Sequence, residues 1–357
     1  MTRSRRSATA PPALVEVTRG GRVESVHRGS VAIVAPDGST VASVDDPDRF
    51  VFWRSSAKPF QLAPFVASGR FDEYSLGGEA LAIMAASHSG EDRHVRLVQE
   101  ILRRAGLTSS VLQNQVHPPY DTETAHRLIR DGEKPTALRG NCSGKHAGMV
   151  LFAKASGWPM DSYWQPDHPV QRLALETVSA LSDVPIEEIA TATDGCGVVT
   201  FGTPLRGLAL AFARLADPSA VVDPPLRTAL TRIRDAMMAH PELVAGTSRR
   251  IDTALMRAYP KLVVSKGGAE GVLAMGLPPG ALPEGAPFGE GPMGIAATIE
   301  DGNLARRGGD VTSIEILRQL GLVADPLPEQ LVDYASPAIV DPRGEVSGDV
   351  RAVLRLA

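Results

Sequence analysis

The chain has 357 residues, 43% of them hydrophobic and 22% charged, ample for a large buried core and ordinary for a globular protein. A net charge of −4 and a pI near 6.1 leave no global positive field and argue against nucleic-acid binding. No run approaches the roughly eighteen consecutive apolar residues of a membrane helix, and two cysteines, Cys142 and Cys196, do not make a secreted disulfide framework.

The first twelve residues carry Arg5-Arg6 followed by Ser-Ala-Thr-Ala-Pro-Pro. That segment lacks the apolar stretch of an export signal and reads as a disordered tail. A cytoplasmic protein is expected, with residues 13–357 forming a single domain. Apolar runs at 30–35 and 40–44 flank Pro36-Asp37-Gly38-Ser39 and predict a β-hairpin. Apolar residues at every third or fourth position then predict helices over 57–68, 78–86, 92–105, 168–181, 205–215 and 226–238. Strand-like runs return at 262–265 and 293–299, and Asp301-Gly302 predicts a hairpin turn into 304–307. A last helix is expected over 310–320. Both ends of the chain thus supply strands to one antiparallel sheet, with a helical block inserted at about 56–250. The fold class is α+β.

Four stretches carry chemistry. In Arg54-Ser55-Ser56-Ala57-Lys58, a helix beginning near Ser55 would place the Ser55 hydroxyl and the Lys58 amine on one face. Serine needs a base in hydrogen-bond contact to be a nucleophile, and lysine is a base only when burial or a cationic neighbour lowers its pKa. A capping serine and a solvated lysine would look the same. Ser87-His88-Ser89-Gly90-Glu91 lies between two predicted helices, where small polar residues also suit a turn. Ser265-Lys266-Gly267-Gly268 follows an apolar run, and its glycines would let a substrate backbone approach closely. The order Ser-x-x-Lys, serine in a polar turn, Lys-Gly on a late strand repeats that of the serine β-lactamases and penicillin-binding enzymes. Those enzymes have a hydroxyl residue where this chain has Gly267.

The fourth stretch pairs Gly140-Asn141-Cys142-Ser143-Gly144-Lys145-His146 with Asp194-Gly195-Cys196-Gly197. Two thiolates and two further donors satisfy tetrahedral zinc. By ordinary ligand chemistry His146 would be the third donor, because a lysine must first give up its proton. Two unligated thiols or a disulfide remain the plain alternatives.

Taken together, these stretches resemble the L-asparaginase family that contains the rhizobial, or class 3, enzymes. The matching blocks run from Arg54 to Gly271 in compatible order. The resemblance implies a serine β-lactamase-like fold, a homodimer, and hydrolysis of L-asparagine to L-aspartate and ammonia. It places two Ser–Lys tandems on Ser55 with Lys58 and on Ser87 with Lys266. It places zinc on Cys142, Lys145 and Cys196, so that Lys145 takes the position ligand chemistry alone gives to His146. Asp194 is then an orienting group behind the ligands. Arg54, Asn141, His146 and Gly268 are candidate substrate-binding residues.

The expected mechanism has Ser55 attacking the amide carbon with Lys58 as base, Ser87 and Lys266 relaying a proton to ammonia, and zinc orienting the substrate. Backbone N–H groups near Ser55 would form an oxyanion hole worth about 3–4 kcal/mol. Three rivals stand beside it: a hydrolase attacking through zinc-bound water, a penicillin-recognising acyl-serine enzyme, and a metal-binding structural protein.

Overall fold

The computed structural model describes residues 10–302 and 307–357. In chain order the strands are β1 (Ala13–Arg19), β2 (Arg22–Val34), β3 (Thr40–Val44), β4 (Phe50–Phe52), β5 (Ala190–Thr193), β6 (Val199–Pro204), β7 (Val264–Ser265), β8 (Val272–Leu277), β9 (Met293–Ile299), β10 (Ala338–Val340) and β11 (Val346–Ala352). The helices are α1 (Lys58–Ala67), α2 (Gly78–Met84), α3 (Asp92–Arg104), α4 (Thr122–Asp131), α5 (Ser143–Ala155), α6 (Pro169–Ser182), α7 (Leu205–Ala216), α8 (Pro224–Ala239), α9 (Pro241–Val244), α10 (Ile251–Ala258), α11 (Arg307–Gln319) and α12 (Val332–Ala335). The chain forms two compact units. One takes Met1–Ser56, Gly202–Asp217 and Ala254–Ala357; the other takes Ala57–Phe201 and Pro218–Thr253.

The first unit is built on a sheet ordered β10-β11-β1-β2-β9-β8-β7, with β3 also paired to β2. Its described pairings are all antiparallel. As the sequence predicts, strands from both chain ends lie side by side: β2 pairs β9 from Gly29↔Ile299 to Val34↔Gly294. All six residues of β8 are buried, so that strand shows no alternation, which is why periodicity did not find it.

Helix α7 packs on β8 and β9. Ten of its twelve residues are buried, and each large apolar side chain among them contributes about 1.5–3 kcal/mol. The contact depends on Gly294, where a Cβ would lie 1.9 Å from the Ala209 carbonyl oxygen and 2.3 Å from the Ala213 nitrogen. Backbone on backbone cannot yield as a side chain can. Gly294→Ala is therefore expected to destabilise the chain by at least about 3 kcal/mol, read as a lowered urea midpoint at unchanged m-value.

The second unit is helical around α1. Eight of the ten α1 residues are buried, as expected for a helix enclosed on nearly every side, and it packs against α5, α6 and α8. Phe65 of α1 stacks on Phe152 of α5 with ring centroids 5.2 Å apart. The predicted helices are found within a few residues of their expected ends. Helix α5 was not expected, because the small residues after Cys142 suggested a loop.

Residues 1–9 of the expected 1–12 tail and 304–306 of the expected 304–307 run lie outside the described residues; Pro12 O already accepts the Gly29 N–H at 3.1 Å, and Arg307 opens α11. No helix among the described residues is long and apolar enough to cross a membrane.

Candidate active site

Lys58 is the first residue of α1 and is fully buried. Its Nζ lies 2.6 Å from the Ala86 carbonyl oxygen and 2.6 Å from Ser87 Oγ. Burial pushes the Lys58 pKa down, and the Lys145 cation adds to this; the positive end of α1 disfavours an ammonium at that position too. A depressed lysine in contact with a serine hydroxyl has the arrangement a neutral amine base needs.

Ser87 lies in the turn between α2 and α3, and that turn is held from several sides. The Ser87 N–H donates to Val244 O at 2.9 Å and the His88 N–H to Asn141 O at 3.2 Å. Arg250 donates to Ser87 O at 2.8 Å and to Ser89 Oγ at 3.1 Å. The Ser89 hydroxyl donates to Ala245 O at 2.9 Å.

Next to Lys58 lie both cysteines, unbridged and buried. Cys142 stands at the N-cap position of α5 without a side-chain capping bond, and its sulfur interacts electrostatically with Lys58 and Cys196. Lys145 Nζ donates to Cys196 Sγ at 2.9 Å. The Cys142 hydrogen bond and the Lys145 charge hold the Cys196 pKa down, while the contact with Cys196 and burial push Cys142 up. Burial opposes the charge on Lys145, but the two sulfurs and Asp194 outweigh it and its pKa is raised. Asp194 Oδ2 lies 3.6 Å from Cys196 Sγ.

Tyr163 accepts a hydrogen bond from the Gln113 N–H at 2.9 Å, so its hydroxyl proton is free to go to His146 Nδ1 at 2.7 Å. That puts the imidazole proton on Nε2, which finds no oxygen or nitrogen partner and interacts with Cys196.

Among the described residues no three His, Cys, Asp or Glu side chains are grouped to hold a metal by themselves. The two sulfurs and the Lys145 amine nevertheless make a compact soft donor set of the kind zinc takes. With its Nε2 protonated by the Tyr163 contact, His146 is the poorer third donor. The donor set fits a zinc ion once Lys145 gives up its proton.

In the first unit, Ser55 is half-buried in the 3-10 turn Arg54–Ala57 that leads into α1. Arg54, just before it, holds a left-handed φ of 50°, a conformation that costs a non-glycine residue about 1 kcal/mol or more and collects at functional sites. Lys266 follows β7 and is fully buried, with Nζ 2.6 Å from Gly267 O. The Ser56 hydroxyl donates to Lys266 O at 2.9 Å. A Cβ on Gly268 would meet Trp53 O at 2.8 Å, so that glycine serves a close backbone approach inside the protein. Arg54 lies 3.9 Å from the exposed Glu270 carboxylate.

A family model described as L-asparaginase II matches residues 15–352. The chain belongs to the L-asparaginase II family. Membership makes it an amidohydrolase. No curated protein matches it.

Among solved structures it is similar to a probable glutaminase from Bacillus subtilis, at 11% identity over 82% of this chain and 88% of that one, with a TM-score of 0.39. It is similar to Mglu in its native form in the presence of 4.3 M NaCl, at 14% identity over 84% and 63%, TM-score 0.38. A Bacillus glutaminase in the same salt gives 13% identity over 76% and 83%, TM-score 0.34.

Within this L-asparaginase II chain, the second unit alone gathers Lys58, Ser87, Asn141, Cys142, Lys145, His146, Asp194 and Cys196, drawn from four separate stretches of sequence. Asn141 accepts the His88 amide through its carbonyl, and its own N–H donates to His117 Nε2 at 3.0 Å. Sequence reasoning missed Tyr163, Ser143 and Arg250, and it noticed His88 without giving it a task. His88 and Ser143 had a usable signal, their places inside Ser-His-Ser and Asn-Cys-Ser-Gly-Lys. Tyr163 and Arg250 stand in stretches with no motif.

Proposed function

We propose that the chain hydrolyses the side-chain amide of L-asparagine to L-aspartate and ammonia through a seryl ester, as a cytoplasmic, homodimeric, zinc-containing enzyme of the rhizobial type with a serine β-lactamase-like fold. One observation carries this reading: in an L-asparaginase II chain, a fully buried lysine with a lowered pKa lies 2.6 Å from a serine hydroxyl.

Ser55, three positions ahead of Lys58, attacks the amide carbon and gives its proton to the Lys58 amine. Lys58 returns that proton through Ser87 to the departing nitrogen, and Lys266 assists the same transfer. Water then cleaves the ester by the reverse path. Arg54 and Asn141 bind the polar end of the substrate. Cys142, Cys196 and Lys145 would hold zinc, which supplies a fixed positive charge for orienting that end; Asp194 and His146 keep the sulfurs in place.

Ammonia release is expected from asparagine, more slowly from glutamine, and not from β-aspartyl dipeptides. Hydroxylamine should divert part of the product to β-aspartyl hydroxamate, the mark of an ester intermediate. As purified, the protein is expected to carry about one zinc per chain, and Cys142→Ser should lose it. No ammonia from either amide would sink the reading. Loss of all turnover on chelation with no hydroxamate formed would favour attack by metal-bound water instead.

A further inference from the structure

His88 is a side-chain anchor of the Ser87 turn that the proposed chemistry does not use. His88 is fully buried, and its Nε2 lies 2.9 Å from Ser143 Oγ. The Ser143 hydroxyl already donates to Leu138 O at 2.9 Å, so the imidazole must be the donor to Ser143. On its other side the Gly90 N–H donates to His88 Nδ1 at 3.2 Å. Those two bonds fix the tautomer with its proton on Nε2. Burial keeps the ring neutral, as that tautomer requires.

The ring also stacks on His94, with centroids 4.7 Å apart and planes 14° apart. His94 is fixed in turn: it accepts from the Glu91 N–H at 3.0 Å, and its Nε2 lies 2.9 Å from Glu242 O. His88 is therefore held in one tautomer, with Ser143 as the partner of its Nε2. That partner, Ser143, is the first residue of α5 and adjoins Cys142; His88 itself adjoins Ser87.

We propose that His88 is a positioning residue, whose bond to Ser143 ties the Ser87 turn to the start of α5 and so sets Ser87 against the Lys58 amine. The inference rests on the asparaginase reading for its kinetic consequence, but not for its structural one. Without the bond to Ser143 the turn keeps its backbone bonds and the Arg250 contacts but loses its tie to α5, and proton transfer over a 2.6 Å contact is sensitive to shifts of even a few tenths of an ångström.

The test is a double-mutant cycle on the full chain as purified. Ser143→Ala and His88→Met are each expected to lower kcat for asparagine about 10-fold with KM changed by less than about 2-fold, and the double variant should be no worse than the poorer single one. His88→Gln, whose amide nitrogen reaches the Nε2 position, should recover most of the loss. Amide hydrogen exchange supplies a readout independent of activity: in Ser143→Ala the Ser87 and His88 amides should exchange about 10-fold faster while those of α6 keep their protection. Additive losses, no rescue by glutamine, or an unchanged exchange pattern would overturn the proposal. If the wild-type protein releases no ammonia, the functional reading fails, and the exchange experiment still decides whether His88 holds the turn.

Discussion

Ser55→Ala is expected to lower kcat for asparagine by about 10⁴-fold or more, the loss that follows removal of a nucleophile acting in concert with its base. The turn that carries Ser55 is already constrained. Arg54 enters it at a left-handed φ of 50°, the Ser56 N–H donates to Trp53 O at 3.0 Å, and the Ser56 hydroxyl is bonded to Lys266 O. None of these contacts uses the Ser55 side chain, so its truncation should leave thermal stability within about 0.5 kcal/mol of the wild type. Activity and stability are then separable in one variant. The hydroxamate product should vanish with turnover, because both require the ester. Ser56→Ala is the informative neighbour: it removes a buried bond to Lys266 O and should cost about 1–3 kcal/mol of stability. Near-normal ammonia release by Ser55→Ala would move the nucleophile elsewhere, with Ser87, the hydroxyl beside Lys58, as the next position to examine.

Much of the architecture can be read from the sequence wherever an element has one wet face and one dry face. Helix α3 shows this best, with His94, Val98, Ile101 and Leu102 buried on one side and charged residues on the other. The same logic fails where an element is buried all round. In α5 eleven of thirteen residues are buried, and in β8 all six are, so neither has a stripe for periodicity to detect. It fails equally for α4, where Leu128 is the one buried residue, and for the short outer strand β10.

The site divides along similar lines. Its rare residue types, cysteine and a lysine three positions after a serine, mark themselves. Its geometry does not: Ser143 meets His88 across 55 residues of sequence, and Tyr163 meets His146 across 17. Such pairings are set by how α5 packs, and α5 was itself hidden. Two adjacent letters likewise cannot show that the Tyr163 hydroxyl meets His146 Nδ1 and leaves the imidazole proton on Nε2, the contact that bears on the choice between Lys145 and His146.

Lys58→Met is expected to abolish most of the activity while leaving the fold intact, and it tests the central physical claim more sharply than any change to the serine. Methionine nearly matches the lysine stem in volume and is unbranched, so the well-packed start of α1 needs little rearrangement. Two effects on stability oppose each other. Removing a buried amine removes its desolvation penalty, and replacing buried charge by apolar bulk is often neutral or stabilising. Against this, the Ala86 carbonyl and the Ser87 hydroxyl each lose a partner at 2.6 Å, at about 1–3 kcal/mol for a buried group left unpaired. These terms are of similar size, so the net change should stay within about 1 kcal/mol, a shift in Tm of only about 1–2 °C for a chain of this size.

The catalytic loss has no such compensation. A positioned general base is worth roughly 10²–10⁴-fold, and no other described amine is placed within hydrogen-bond distance of Ser87 Oγ in its own unit. Turnover should therefore fall about 10³-fold with thermal stability nearly unchanged. Lys58→Arg separates base from charge. A guanidinium cannot deprotonate at any working pH, so it should be as inactive as methionine and less stable, because it forces a permanent charge into a site where burial already disfavours the lysine cation. An arginine variant that kept turnover would show that position 58 contributes charge and not proton transfer, and the serine–lysine chemistry would have to be abandoned.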